Sequence, residues 1–311
     1  MKPLYAQSFD NHVFSLQFET GVFYGTAYEI LYENSHSSSY VSELQWNIKP
    51  LVFIGFQTEY APKDPLERNA LYFSTDIKFG IPMTTGVIED RDWISPSTVP
   101  GSLTLFSSHD NKTTGAFLLN STAGLSMPLA RGFLAKLSLD FLIMYFKFEA
   151  WDGYTQYGTN ALPPYDPWNP EWPKESFSGL GIDYSQMWAI LKPAFGLEWH
   201  GEKIIFKTAF SVSTNAVCIT EDNHFVRNPP LLLTGELEKG LFFETKGAFI
   251  LKVHEKVSIG LSLSYTQIDD SRGAATLEEK YPTHIKTTTF PNCGGAGFRA
   301  FSGEIITKMS F

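Results

Sequence analysis

The sequence predicts an all-β fold: a ten-stranded antiparallel transmembrane β-barrel spanning residues 1–311, with long extracellular loops. Three observations carry this reading. Aromatic residues make up 15% of the chain, with 26 Phe and 14 Tyr, while charged residues make up only 18%; aromatic side chains favour strands. Apolar residues alternate with small or polar ones over stretches on the order of a dozen residues, which suits a tilted membrane-spanning strand better than an ordinary globular one. The connections alternate between short turns and long polar segments, the pattern of an outer-membrane barrel. The longest apolar run, Phe141–Phe146, falls far short of the ~20 residues that a spanning helix needs.

The clearest strands follow in chain order. In 133–145, Phe133, Ala135, Leu137, Leu139, Phe141, Ile143 and Tyr145 share one face, with Lys136, Ser138 and Asp140 on the other. In 204–215, Ile204, Phe206, Thr208, Phe210 and Val212 oppose Lys207, Ser211, Ser213 and Asn215. In 257–266 every odd position is apolar and every even one small or hydroxylated. The chain closes on Ile305–Phe311, an alternating strand ending in Phe, similar to the assembly signal of bacterial outer-membrane proteins. Short turns are expected at 128–132, 200–202 and 254–256. Long loops are expected at about 83–113, 151–182, 221–235 and 270–296. The resulting count is about ten strands, with no internal repeat and no domain boundary.

A formal charge of −9 argues against nucleic acid, whose binding needs clustered Lys and Arg, and fits a basic substrate. Two cysteines, Cys218 and Cys293, are too few for a disulfide scaffold; whether they pair is left open. The first residues lack the apolar core of a signal peptide. Taken alone that indicates a cytoplasmic chain; taken with the strand pattern it suggests a mature chain, or one starting just inside a signal cleaved near Ala6.

Two acidic motifs carry chemistry: Asp90-Arg91-Asp92-Trp93 and Asp222-Asn223-His224. On a strand, residues i and i+2 face the same way, so each motif can aim two groups into one groove. Two carboxylates facing an Asp–His pair can activate water, because imidazole titrates in the useful range and a carboxylate can fix its tautomer. Each motif alone also has a plain reading as solvated loop. Asp90 and Asp92 with Glu89 could form a calcium turn, although calcium wants more oxygens. Asp10-Asn11-His12 repeats the tripeptide before the first strand and is read as inert. Trp93 reads as a packing residue and His109-Asp110 as a loop pair. No His or Cys spacing suggests zinc, and no Gly-x-Ser-x-Gly elbow suggests a serine nucleophile.

Over most of its length the chain resembles the omptin family of outer-membrane proteases. The resemblance rests on Gly25–Glu29 and Ser42–Lys49 as a first hairpin, on Asp90–Trp93 matching the family's Asp-x-Asp-Trp loop, and on Ser107–Asp110. It rests also on Asp222–His224 as the family's Asp-x-His, and on Gly295–Gly297 before the last strand. The resemblance implies an endopeptidase of the bacterial outer membrane with its site at the outer rim. Asp90 and Asp92 form one catalytic wall, Asp222 and His224 the other, and Glu29 receives a basic substrate side chain. It implies no metal or other cofactor, a peptide or protein substrate, and contact with outer-membrane lipid. The chain departs from the family at Thr220, where an acid is usual, and at Tyr145 and Met187, where the family's basic lipopolysaccharide clamp is not matched. The alternative readings are a non-enzymatic adhesin or surface-binding barrel and, behind it, a narrow porin. The charges of Lys136, Asp140, Lys207, Glu244 and Lys246 are expected to plug such a porin.

Overall fold

A computed structural model describes residues 12–94, 101–157 and 166–311. Every regular element among them is a strand: β1 (His12–Tyr32), β2 (Tyr40–Pro62), β3 (Ala70–Gly80), β4 (Met83–Asp92), β5 (Leu105–Pro128), β6 (Phe133–Tyr157), β7 (Glu175–His200), β8 (Ile204–His224), β9 (Leu231–His254), β10 (Val257–Lys280) and β11 (Ile285–Ser310). All belong to one antiparallel sheet, in which β1 pairs with β2 on one side and with β11 on the other.

The sequence led to an expectation of about ten strands, and eleven are delimited. The extra one arises where Ile81 and Pro82 separate β3 from β4. Both segments lie between β2 and β5, β3 along their lower parts and β4 along their upper parts. Ile81 N–H still donates to Val52 O at 2.8 Å; Pro82 has no N–H to continue the ladder.

The alternating faces point as a lipid-facing sheet requires. Phe14, Phe18, Phe56, Phe73, Leu139, Phe141, Leu191, Phe206, Leu261 and Phe301 stand exposed on the outer surface. Inside, at the same level, is a polar lumen around a cavity of about 260 Å³. Lys78 binds Glu304 at 2.6 Å and Glu19 at 2.9 Å, Lys136 binds Glu198 at 2.9 Å, and Lys192 binds Glu244. Removing one member of such a buried pair costs about 3–5 kcal/mol because the other charge is left uncompensated. Above the lumen lies an apolar layer of Phe23, Trp46, Phe53, Phe146, Phe148, Trp188, Phe242 and Phe298. Trp46 stacks on Phe148 at 5.6 Å and on Tyr184 at 5.4 Å.

The short turns lie where expected, at 129–132, 201–203 and 255–256, joined by 63–69. The long loops are a correction. Most of 83–113, 221–235 and 270–296, and both ends of 151–182, are strand, because neighbouring hairpins keep pairing above the apolar belt. Polar residues there satisfy the ladder as well as apolar ones, so polarity marked the end of the belt and not the end of the strands. Residues 95–100 and 158–165 of those segments lie outside the described residues. Cys218 and Cys293 are both buried and are not joined.

Candidate active site

Asp90 and Asp92 close β4 and both point inward, 8% and 7% exposed. A bulge aims them. Thr84 pairs with Lys112 but Val87 with Asp110, so β4 holds one more residue than β5 at this point. Gly86 absorbs it at φ +108°. Below the bulge the odd-numbered Thr85 faces in; above it Ile88, Asp90 and Asp92 do. One inserted residue reverses the alternation of a strand, and without it both carboxylates would face outward. Glu89 and Arg91 take the opposite face and bind one another, so Glu89 does not join the pair as a calcium ligand would.

The second wall is built the same way on β8. Ser211 and Ser213 face inward, then Ala216, Cys218, Thr220 and Asp222. The switch falls at a register shift between Ser213 and Ala216. Asp222 is almost fully buried, and His224 Nε2 lies 2.6 Å from its Oδ2. Thr220 is buried one step below Asp222 on the same face, and Glu221 is exposed on the other.

Glu29 comes from β1, whose odd residues Ser15, Glu19, Phe23 and Ala27 all face inward. It pairs with Leu44, which pairs with Asp90. Glu29 and Asp90 therefore share one row, two strand spacings or roughly 10 Å apart along the sheet. Beneath them Tyr184, Trp46 and Phe148 form a stacked apolar floor.

This floor governs the charges above it. Burial, then the negative charges of Asp222 and Asp90, hold the Glu29 carboxyl well above the usual range. Burial and then Asp92 do the same to Asp90. Burial also raises Asp92, against the pull of the Ser42 hydroxyl, Arg227 and His224. Like charges brought together in a poorly solvated site keep protons that isolated carboxylates would lose. The arrangement can hold and pass protons between two walls, with His224 on one side and a carboxyl pair on the other. Among the described residues, no three His, Cys, Asp or Glu side chains are grouped as metal ligands.

All five residues expected from the sequence thus meet at one end of the sheet. Trp93 packs edge-on against Tyr40 at 5.1 Å, as a packing residue does. Asp10 and Asn11 of the repeated tripeptide lie outside the described residues; His12 stacks on Tyr60 at the far end of the sheet. His109 is a correction: it lies within β5, buried and facing inward, and not in a loop. Ser107, which the sequence singles out only within the Ser107–Asp110 motif, and Tyr157 and Arg227, which it does not single out, also act on the carboxyl pair. The i, i+2 spacing of Ser107 and His109 was the available signal. Tyr145 and Met187, the unmatched clamp positions, are register partners on the outer face.

The crystal structure of outer membrane protease OmpT from Escherichia coli superposes with a TM-score of 0.85, covering 99% of each chain at 14% identity. That likeness concerns the fold. The translocator domain of autotransporter NalP from Neisseria meningitidis covers 96% of this chain and 88% of its own at 9% identity, with a TM-score of 0.37. No curated protein sequence matches the chain. The omptin family model matches residues 10–308, nearly the whole length and every residue of the two walls, and the chain belongs to the omptin family.

Proposed function

We propose that this chain is an endopeptidase of the bacterial outer membrane, a closed ten-stranded barrel in which β3 and β4 are one interrupted strand. The whole chain forms one domain, with the site facing outside. The observation that carries the reading is the convergence of Asp90, Asp92, Asp222, His224 and Glu29 above an apolar floor. The exposed apolar belt supports the membrane setting, and family membership supports proteolysis.

The reaction follows from the groups present. With Asp222 ionised, its oxygen accepts the Nε2 proton of His224 and leaves Nδ1 as the basic nitrogen. Water between the two walls gives its proton to Nδ1 while its oxygen attacks the scissile carbonyl carbon. Asp222 stabilises the imidazolium, as the orienting acid does in a serine triad. The Asp90/Asp92 wall holds the water and the developing negative charge. The imidazolium then returns its proton to the amide nitrogen as the C–N bond breaks. Acid–base help of this kind contributes roughly 10²–10⁴ in rate. No cofactor enters the scheme.

Glu29 lies in the groove between the walls and can receive a basic substrate side chain. Thr220 leaves the groove with one acid fewer than the family norm, so the preference for Arg or Lys is weaker or shifted. With Tyr145 and Met187 at the clamp positions, contact with membrane lipid rests on the apolar belt. The test is cleavage of a mixed peptide library by refolded wild type and by His224→Ala. Cleavage by wild type alone, next to basic residues, is expected. No cleavage by a folded barrel supplied with lipid would refute the reading in favour of a surface-binding protein.

A further inference from the structure

The bulge that aims Asp90 and Asp92 interrupts the sheet on both of its sides. Towards β5, Thr84 pairs with Lys112 and Val87 with Asp110, so Asn111 stands opposite both Thr85 and Gly86. Towards β2, the pairing with β4 stops at Trp46–Ile88, and the pairing with β3 resumes only at Phe53–Gly80. Asn47 is the first residue of β2 in that gap. It keeps Thr26 of β1 as a partner on one side and has no register partner on β3 or β4 on the other. A backbone group left out of the ladder in the interior needs another partner.

Asn111 supplies that partner. Its side chain is fully buried, and Nδ2 donates to the Asn47 carbonyl oxygen at 2.6 Å and to Thr85 Oγ1 at 3.3 Å. Thr85 Oγ1 lies in turn 2.8 Å from Thr113 Oγ1. A backbone carbonyl only accepts, so the nitrogen end of the amide must face Asn47, and its two hydrogens match the two acceptors. The amide oxygen has no partner; both bonds come from the nitrogen. One side chain rooted on β5 thus grips β4 at Thr85, the residue just before Gly86, and fastens it to β2. We propose that Asn111 is a positioning residue for the first wall, holding the bulge at Gly86 in place and with it the inward aim of Asp90 and Asp92. Without its two bonds the extra residue can slide along β4, and a slip of one residue turns a strand's side chains to the opposite face. Glu29 on β1 and Asp222 and His224 on β8 keep their places. The kinetic consequence rests on the endopeptidase reading; the effect on the aim of β4 does not.

Asn111→Leu keeps the bulk of the side chain and removes both bonds. In the refolded full chain kcat is expected to fall roughly ten- to a hundred-fold, the cost of about 1 Å of misplacement at a reacting group. KM is expected to hold, because Glu29 is on another strand. Thr85→Val removes one of the two bonds at nearly constant volume and should lower kcat by less; it carries the kinetic test if Asn111→Leu does not fold. Wild-type kcat in the folded variants, or a loss carried by KM, would overturn the proposal in favour of a packing role. A second readout needs no activity. With Cys218 and Cys293 changed to serine, Glu89→Cys and Asp90→Cys are each labelled with a membrane-impermeant maleimide. Glu89 faces out and Asp90 is 8% exposed, so position 89 should label faster while Asn111 is present. That preference is expected to be lost when Thr85→Val or Asn111→Leu is added. An intact preference would overturn the lock, whereas absent peptidase activity with the preference lost as expected would overturn only the endopeptidase reading.

Discussion

Replacing Gly86 by alanine should disarm the first wall without dismantling the sheet. At φ +108° an alanine is strained, and its Cβ would stand 3.3 Å from the Asn47 Cβ. The strain, about 1–3 kcal/mol, has two outlets. The bulge can survive and lower stability by that amount, or β4 can move to relieve it and shift Asp90 and Asp92. A displacement of ~1 Å at a reacting group can cost about 10²-fold in rate. The expected result is a fall in kcat/KM of roughly ten- to a hundred-fold. The apolar belt, on the far side of the aromatic layer, keeps its packing. Gly247→Ala is the control, since nothing lies within 4 Å of its added Cβ and its φ is ordinary. The assay pairs peptide cleavage with the mobility shift between folded and heat-denatured barrel on gels. Wild-type kcat/KM in a folded Gly86→Ala variant would refute the idea that the bulge aims the carboxyls.

Asp222→Ala and His224→Ala should each lower kcat by roughly 10²–10⁴ with the barrel still folded; retained turnover in either would remove them from the mechanism. Glu29→Ala should flatten the preference for basic residues at the cleaved bond, and Thr220→Asp should sharpen it, both read from a library profile. Glu29→Gln addresses stability. The folded Glu29 carboxyl is held above its unfolded value by burial, Asp222 and Asp90, so the folded state binds more protons and loses stability as pH rises beyond the unfolded carboxylate range. The glutamine variant should melt higher than wild type at neutral pH, with the gap closing near about pH 4; an equal gap at both would contradict the assigned cause. Trp46→Ala should cost about 3–5 kcal/mol by opening the stacked floor, measured as a drop in Tm.

The belt was legible because burial by lipid imposes a period of two over many residues: the faces read at 133–145, 204–213 and 257–266 are the faces seen, and Asn215, read on the inner face, is exposed at the register shift that follows Ser213. The upper half was read as loop because its strands alternate polar with polar, and hydropathy carries no period there. The two acidic motifs stood out by residue type and spacing and Glu29 by family resemblance, yet the spacing argument alone could not say which side each motif faced. That depends on bulges at Gly86 and between Ser213 and Ala216, and a single extra residue in one strand is visible only beside its partner. His109 was lost for the same reason. Its neighbour Asp110 drew attention, while its partners Ser107 and the Asp152 carbonyl depend on a bulge in another strand.

The aromatic layer under the site has a consequence for traffic. Trp46, Trp188, Phe53, Phe146, Phe148, Phe242 and Phe298 fill the bore between the groove and the charged lumen. On the proposed reading, fragments released in the groove leave by the way the substrate came, and protons shed by the carboxyl pair equilibrate with the medium on that same side. Activity, on that reading, follows the acidity of the surroundings the groove faces, and the compartment on the other side of the aromatic layer is insulated from both its chemistry and its products.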